Sequence, residues 1–429
     1  MKHVTSELVL DNGARGLLVH VPEATVMSFQ INFRAGEYLV DREKWETPHI
    51  MEHMLLGANK HIPKARAFQA EFEKNGAYCN ASTGTYDIIY ESECADFEWQ
   101  RILDWLVVAI TEPLFLEDEF KAEFGNVREE LTARSNNHFR HLSLSLRENF
   151  GFFAVTDQER LKLMKNVSLE DVRQHYRATH VTSNMRFVIA GNITKTRRDY
   201  VKKLFSTTAL AKGRGRPALP KEVPVSLHKT LNIKNTTVDN YYFYFDTFLK
   251  RRMEDHELAA MSLLNSMLTE TLYSRILGSA RERGLVYSMS SGINAELHST
   301  NWWFGAQVRP DNAEALFDIM ITELKAIFEG KLTREEIDAA KQYRLGRYQR
   351  GAQTVAGIGG SYAGRYFFDD FIEDYYAIPG RIKAITKRQI VDGAKDLFKE
   401  GVWGLGVLGN PARDELDVLT TKLDKLWQK

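Results

Sequence analysis

Apolar and polar positions along this chain follow two periods, and the switches between them mark its elements. Alternation, or a short apolar run bounded by turn residues, predicts strands at 8–10, 16–20, 26–34, 78–82, 86–91 and 187–190. A helical period predicts helices at 48–56, 65–75, 97–111, 116–134, 138–149 and 169–178. Hairpin-like strands mixed with helices argue for an α+β fold, each sheet largely antiparallel with helices packed on it.

The pattern is written twice. NVSLEDV at 166–172 matches AITKRQI at 384–390 in residue type, and MRFVIAGN at 185–192 matches WGLGVLGN at 403–410. Both matches keep the same spacing along the chain. In each copy a Ser- or Thr-capped helix leads to an apolar strand ending in Gly-Asn. Two homologous domains follow, at 1–206 and 225–429. Between them, 207–224 is rich in Gly, Pro and basic residues, lacks apolar periodicity and reads as a linker. Its basic run KGRGRP at 212–217 has no interleaved aromatics, so it reads as solvated linker rather than an RNA-binding segment. GIGGSYAG at 357–364 lacks the Gly-Lys-Ser/Thr ending of a phosphate loop and reads as a helix break or mobile turn. Trp302 and Trp303 lie in a strand-like run and read as core or chamber wall.

Composition narrows the class. At 429 residues the chain exceeds one ordinary core, and 44% hydrophobic with 27% charged residues is a globular balance. Lys plus Arg equals Asp plus Glu at 57 each, so no global field favours nucleic acid or an anionic membrane. The N-terminal residues show no secretory h-region, and no apolar run is long enough for a membrane helix. Cys79 and Cys94 make no disulfide framework; reduced thiols in a cytoplasmic protein are the simplest reading.

The chemistry concentrates in WETPHIMEHMLLG. His49 and His53 lie four residues apart on one helix face, so both can ligate one metal ion. Glu52 sits in the same turn, where it can take a proton from water without being a ligand. This H-x-x-E-H order inverts the H-E-x-x-H zinc-protease motif and keeps its mechanics. Thr47 can cap the helix, Pro48 suits its first position and Gly57 offers a stop. A third ligand is needed, and the helix after Pro113 carries Glu123 and Glu130 two turns apart on one face.

This constellation resembles the insulinase/pitrilysin family of inverzincin zinc peptidases, in particular the subunit type similar to mitochondrial processing peptidase beta subunits and bacterial homologues. The resemblance rests on His49-x-x-Glu52-His53, on Glu123 and Glu130, on Gly76-Ala77-Tyr78-Cys79-Asn80-Ala81-Ser82-Thr83, and on Arg283-Gly284-Leu285-Val286-Tyr287-Ser288. It implies one Zn2+ per chain held by His49, His53 and Glu130, with Glu52 as general base and Glu123 as a supporting carboxylate. Asn80 and Ala81 on an edge strand would hold extended peptide, and Tyr287 with Arg281 or Arg283 would serve the oxyanion or clamp the substrate. Two positions depart from the family pattern. Thr47-Pro48 replaces a small-residue lead-in, and Ala280 stands where the family places an arginine before the signature tyrosine.

Carried over at the spacing of the repeat, His49 falls on Met267, Glu52 on Glu270, His53 on Thr271 and Glu130 on Tyr348, so the second copy lacks a zinc site. The resulting expectation is a zinc metalloendopeptidase acting on peptides in a dimeric chamber. It would be a homodimer, or alternatively a heterodimer with a homologous subunit, in which Tyr287 completes the partner's site. The other class of function is a non-catalytic scaffold or binding subunit of the same family.

Overall fold

The computed structural model describes residues 1–227 and 229–427, and its elements run twice through one order. The first series is β1 (Val4–Val9), β2 (Arg15–His20), β3 (Val26–Phe33), α1 (Thr47–Leu55), α2 (Ala65–Glu73), β4 (Tyr78–Thr83), β5 (Ile88–Ala95), α3 (Trp99–Thr111), α4 (Glu117–Ser135), α5 (His138–Phe150), α6 (Asp157–Leu163), α7 (Leu169–Thr179), β6 (Arg186–Gly191) and α8 (Lys195–Ser206). The second is β7 (Thr230–Lys234), β8 (Tyr241–Leu249), α9 (Asp255–Thr269), α10 (Arg275–Glu282), β9 (Met289–Ala295), β10 (Thr300–Val308), α11 (Ala313–Phe328), α12 (Arg334–Gly351), α13 (Val355–Asp369), α14 (Ile378–Ala384), α15 (Lys387–Lys399), β11 (Val402–Gly409) and α16 (Arg413–Asp424).

The sheets have orders β1-β2-β6-β3-β5-β4 and β7-β11-β8-β10-β9. Apart from β1 this is one pattern repeated. β2 runs parallel to β6 and β7 to β11, and all other neighbours are antiparallel. The α+β class and the internal duplication therefore hold. The single spacing used to align the copies does not. Phe29 pairs with Ile189 and Phe243 with Val407, which are equivalent when Gly191 is set on Gly409. Yet Phe29 and Phe243 are closer in sequence than Gly191 and Gly409, so the spacing shortens towards α1 and His49 does not fall on Met267. Helix α9 carries one histidine, in its first turn, and no second.

Two compact units form, and they are not the contiguous halves 1–206 and 225–429. Residues 134–157 belong to the second unit, and 349–374 to the first. Both β6 and β11 are buried along their whole length, which requires cover on both faces. Helix α5 covers β11 and β8, placing Leu142, Leu146 and Phe150 against Phe248 and Leu408. Gly406 makes room for it: a Cβ there would lie 2.2 Å from Leu146. Reciprocally, α13 covers β6 and β3 of the first sheet. The expected break at 357–364 is the body of this helix, and its small residues let it approach the sheet. A Cβ on Gly359 would sit 3.1 Å from that of Ala190.

Trp302 is core, 2% exposed and donating Nε1 to Asn265 at 2.9 Å, whereas Trp303 stacks on Tyr244. Cys79 on β4 and Cys94 on β5 are both free thiols. Among the described residues no helix is long and apolar enough to cross a membrane.

Candidate metal centre

Helix α1 is held in place by its apolar side: Ile50, Met51, Met54 and Leu55 are at most 1% exposed. Its start differs from expectation. The preceding residue is Glu46, Thr47 already lies inside the helix, and the buried Thr47 hydroxyl caps nothing. Pro48 does occupy the first turn, and the helix stops at Leu55, with Leu56 as its cap and Gly57 directly after it. The opposite side turns His49 and His53 towards α4.

There the two imidazoles meet one oxygen. His49 Nε2 lies 3.3 Å and His53 Nε2 3.4 Å from the same Oε2 of Glu130. Ligands about 2.0–2.1 Å from a tetrahedral zinc are separated from each other by about 3.3 Å, so these are the edges such a site needs. Each Nδ1 is engaged behind the ring, His49 by Glu46 at 2.9 Å and His53 by Glu123 at 3.1 Å. That arrangement leaves Nε2 as the nitrogen a metal ion would meet, a choice the sequence left open. Glu52 brings a carboxylate atom within 4.8 Å of the histidine nitrogens. It is the buried neighbour of the triad rather than its closing member, since Glu130 lies closer to both rings. Glu52 is 7% exposed and accepts a hydrogen bond from Thr83 Oγ1 at 3.2 Å.

Burial raises the Glu52 carboxyl above its ordinary range, against the pull of His53 and His49. Burial lowers the two histidines, but the surrounding carboxylates more than reverse it: Glu130 and Glu46 raise His49, and Glu123 with Glu130 bring His53 to about 10. The site is thus built to hold positive charge, and a divalent cation would bind there with release of protons.

Sequence reasoning missed the groups behind His49. Arg160, 5% exposed, donates Nη2 to Glu46 at 3.1 Å, contacts Glu46 through Nε and lies 3.0 Å from Glu37. Glu46 is three residues before His49, a helical spacing that was available as a signal; Arg160 had none.

Asn80 and Ala81 lie on β4, an edge strand of the first sheet, which among the described residues pairs with β5 alone and packs against α1. Asn80 is exposed and Ala81 half-buried. Tyr287, Arg281 and Arg283 belong to the second unit, at and beyond the end of α10. Tyr287 is 82% exposed. Of the two arginines, Arg281 contacts it, with its guanidinium 4.6 Å from the ring centre and Nη1 donating to the Tyr287 carbonyl. In the second repeat, Glu270, which caps α9, pairs with Arg347 of α12 at 2.8 Å, and neither helix holds a histidine pair.

The chain is similar to known proteins in sequence and in fold. Residues 19–152 match the model of the insulinase (peptidase family M16) domain, and residues 166–343 match that of the peptidase M16 inactive domain. Protease 3 of Escherichia coli K12 and that of Shigella flexneri are each 32% identical over 138 residues, 32% of this chain but only 14% of theirs. A protease structure from Helicobacter pylori superposes with a TM-score of 0.83 at 17% identity, covering 95% of this chain and 100% of its own. A structure from Pseudomonas fluorescens titled as a peptidase M16 inactive domain gives 0.81 at 16% identity, covering 95% and 98%. These two likenesses concern the fold. With both domain models matched in order and the H-x-x-E-H helix facing Glu130, the chain belongs to the insulinase (M16) peptidase family.

Proposed function

We propose that the chain is a zinc-dependent metalloendopeptidase that hydrolyses peptides or short unfolded segments. The observation that carries this reading is the convergence of both histidine Nε2 atoms on one Glu130 oxygen, with buried Glu52 beside them. His49, His53 and Glu130 would hold one Zn2+, and Glu46 and Glu123 would fix the ring orientations. When bound, zinc supplies Lewis acidity that makes water a better nucleophile and polarises the scissile carbonyl. Glu52, its carboxyl raised by burial, accepts the proton of the attacking water and returns it to the leaving amine. The Thr83 hydroxyl orients Glu52 and ties the edge strand to the reacting group. Extended peptide would add to the free edge of β4 at Asn80 and Ala81 through main-chain hydrogen bonds, which makes recognition tolerant of side-chain sequence.

The reading extends to a homodimer whose two chains enclose the substrate, with Tyr287 of one chain serving the zinc site of the other. The two unpaired cysteines favour a reducing, cytoplasmic setting. A scaffold role has no use for the complete set His49, Glu52, His53 and Glu130.

Metal analysis and peptide hydrolysis test the proposal together. Wild type should carry about one zinc per chain and lose activity to chelators. Glu52→Gln should keep the metal and lose turnover, whereas His53→Ala should lose both. Near wild-type hydrolysis by Glu52→Gln, or full activity in rigorously metal-free protein, would overturn the mechanism.

A further inference from the structure

The first unit holds a second charged cluster, where the end of β3, the start of β6, the linker after α8 and the end of α13 meet. Arg186, 6% exposed, donates Nε and Nη2 to Asp370 at 2.5 and 3.1 Å. Arg15 reaches the same carboxylate at 3.1 Å and Glu7 at 2.5 Å. Arg34 donates its two Nη groups to the carbonyls of Pro217 and Phe368 at 3.1 and 2.9 Å. Arg216, in the basic run expected to be solvated, has a side chain only 10% exposed. Its guanidinium lies 4.7 Å from the ring centre of Phe367 and 3.9 Å from Asp370.

Donors are left over. Arg216 Nε and Nη2, Arg34 Nε and the Tyr38 hydroxyl are all buried with no hydrogen-bond partner among the described residues. Nε and Nη2 form the guanidinium edge that grips two oxygens of a carboxylate or phosphate. Arg34 and Arg216 share one locality, since Arg34 bonds the carbonyls of Pro217 and Phe368, the neighbours of Arg216 and of the Phe367 ring on which it lies, and the charges of both arginines act on Tyr38. Charge is left over as well. Arg15, Arg186 and Arg216 face two directly paired carboxylates, Glu7 and Asp370, while Arg34 gives its Nη groups to backbone carbonyls and Asp369 lies 3.8 Å from Arg365. Burial, with Arg34 and Arg186 adding to it, lowers Arg216 to about 9. Water can satisfy buried donors but leaves the excess charge uncompensated; an oxyanion relieves both.

We propose that Arg216, Arg34 and Tyr38 form a binding site for an oxyanion, a phosphate or the carboxylate of a peptide, whose occupancy holds the linker at Arg216 in place. The proposed site uses none of the candidate metal ligands, and its test does not read peptidase activity. The 429-residue zinc-loaded chain is titrated, at constant ionic strength balanced with chloride, with inorganic phosphate, with N-acetylalanine and with N-acetylalanine carboxamide. Binding is followed by calorimetry and thermal denaturation. Saturable binding of phosphate or N-acetylalanine, but not of the carboxamide, with a rise in Tm is expected. Tighter phosphate binding identifies a free phosphate as the source, and tighter N-acetylalanine binding a peptide carboxylate. Arg216→Met, which keeps an apolar stem on Phe367, should weaken the preferred anion at least about tenfold. Tyr38→Phe removes one donor without changing charge and should weaken it about threefold. No saturable binding to folded wild type overturns the proposal. So does wild-type affinity in Arg216→Met or, where that variant does not fold, in Tyr38→Phe.

Discussion

Arg160→Met tests the buried network behind His49 most directly, because it removes the cation that bridges two buried carboxylates, Glu46 and Glu37. Glu46 is 0% and Glu37 5% exposed. Burial pushes the Glu46 carboxyl up, yet Arg160 and His49 more than reverse it and bring it to about 2, from an ordinary 4.5. At about 1.4 kcal/mol per decade this corresponds to about 3 kcal/mol in favour of the ionised carboxylate. Without Arg160, burial acts on both carboxylates unopposed by the guanidinium, and breaking a buried pair in this way costs about 3–5 kcal/mol. That is a large part of the roughly 5–15 kcal/mol by which a native domain is stable. The pH dependence has a definite sign. Glu46 has a folded pKa below its unfolded value, so its contribution is complete above about 4.5 and is lost as pH falls towards about 2. The gap between wild type and variant should therefore be widest near neutrality and narrow in acid. Urea denaturation of both chains, stripped of metal so that lost ion binding does not add to the difference, measures it at pH 7 and pH 4. Adding Glu46→Gln to Arg160→Met should recover part of the loss, since one stranded charge disappears. A cost below about 1 kcal/mol at pH 7, or a double variant no more stable than Arg160→Met, would refute the account.

Two further expectations concern the metal and the assembly. Glu123→Ala strips His53 Nδ1 of its partner at 3.1 Å and should raise the zinc dissociation constant about 10–100-fold in a chelator competition assay; unchanged affinity would remove Glu123 from any supporting role. Mixing inactive Glu52→Gln with inactive Tyr287→Phe protein, under conditions that exchange subunits, should restore hydrolysis, because one site of the mixed dimer joins an intact zinc centre to an intact tyrosine. No recovery despite proven exchange would mean that each site is built within one chain or needs a different partner.

Some of this protein is written in short-range pattern. The histidine pair on one face of α1, the two glutamates on one face of α4, most of the strands and helices and their repetition all follow from local periodicity, so residues near in sequence sufficed. Which helix covers which sheet does not follow. The apolar stripes of α5 and α13 demand cover, yet either sheet of a duplicated fold can supply it, and only packing assigned each to the unit of the other repeat. The same limit hid the network behind the site. Arg160 lies 114 residues from Glu46, and nothing in a run of local sequence marks an arginine as the buried partner of a distant carboxylate. Thr47 offered a hydroxyl in a capping position, but the backbone entered the helix one residue earlier and left that hydroxyl inside. Arg216 sat in a stretch with every sign of a solvated linker, until Phe367 at the end of α13 gave it a face to lie on. Sequence alone determined which chemical groups each element carries and at what period. Tertiary structure decided which of them lose water together, and the loss of water is what turns a carboxylate, an imidazole or a guanidinium into a site.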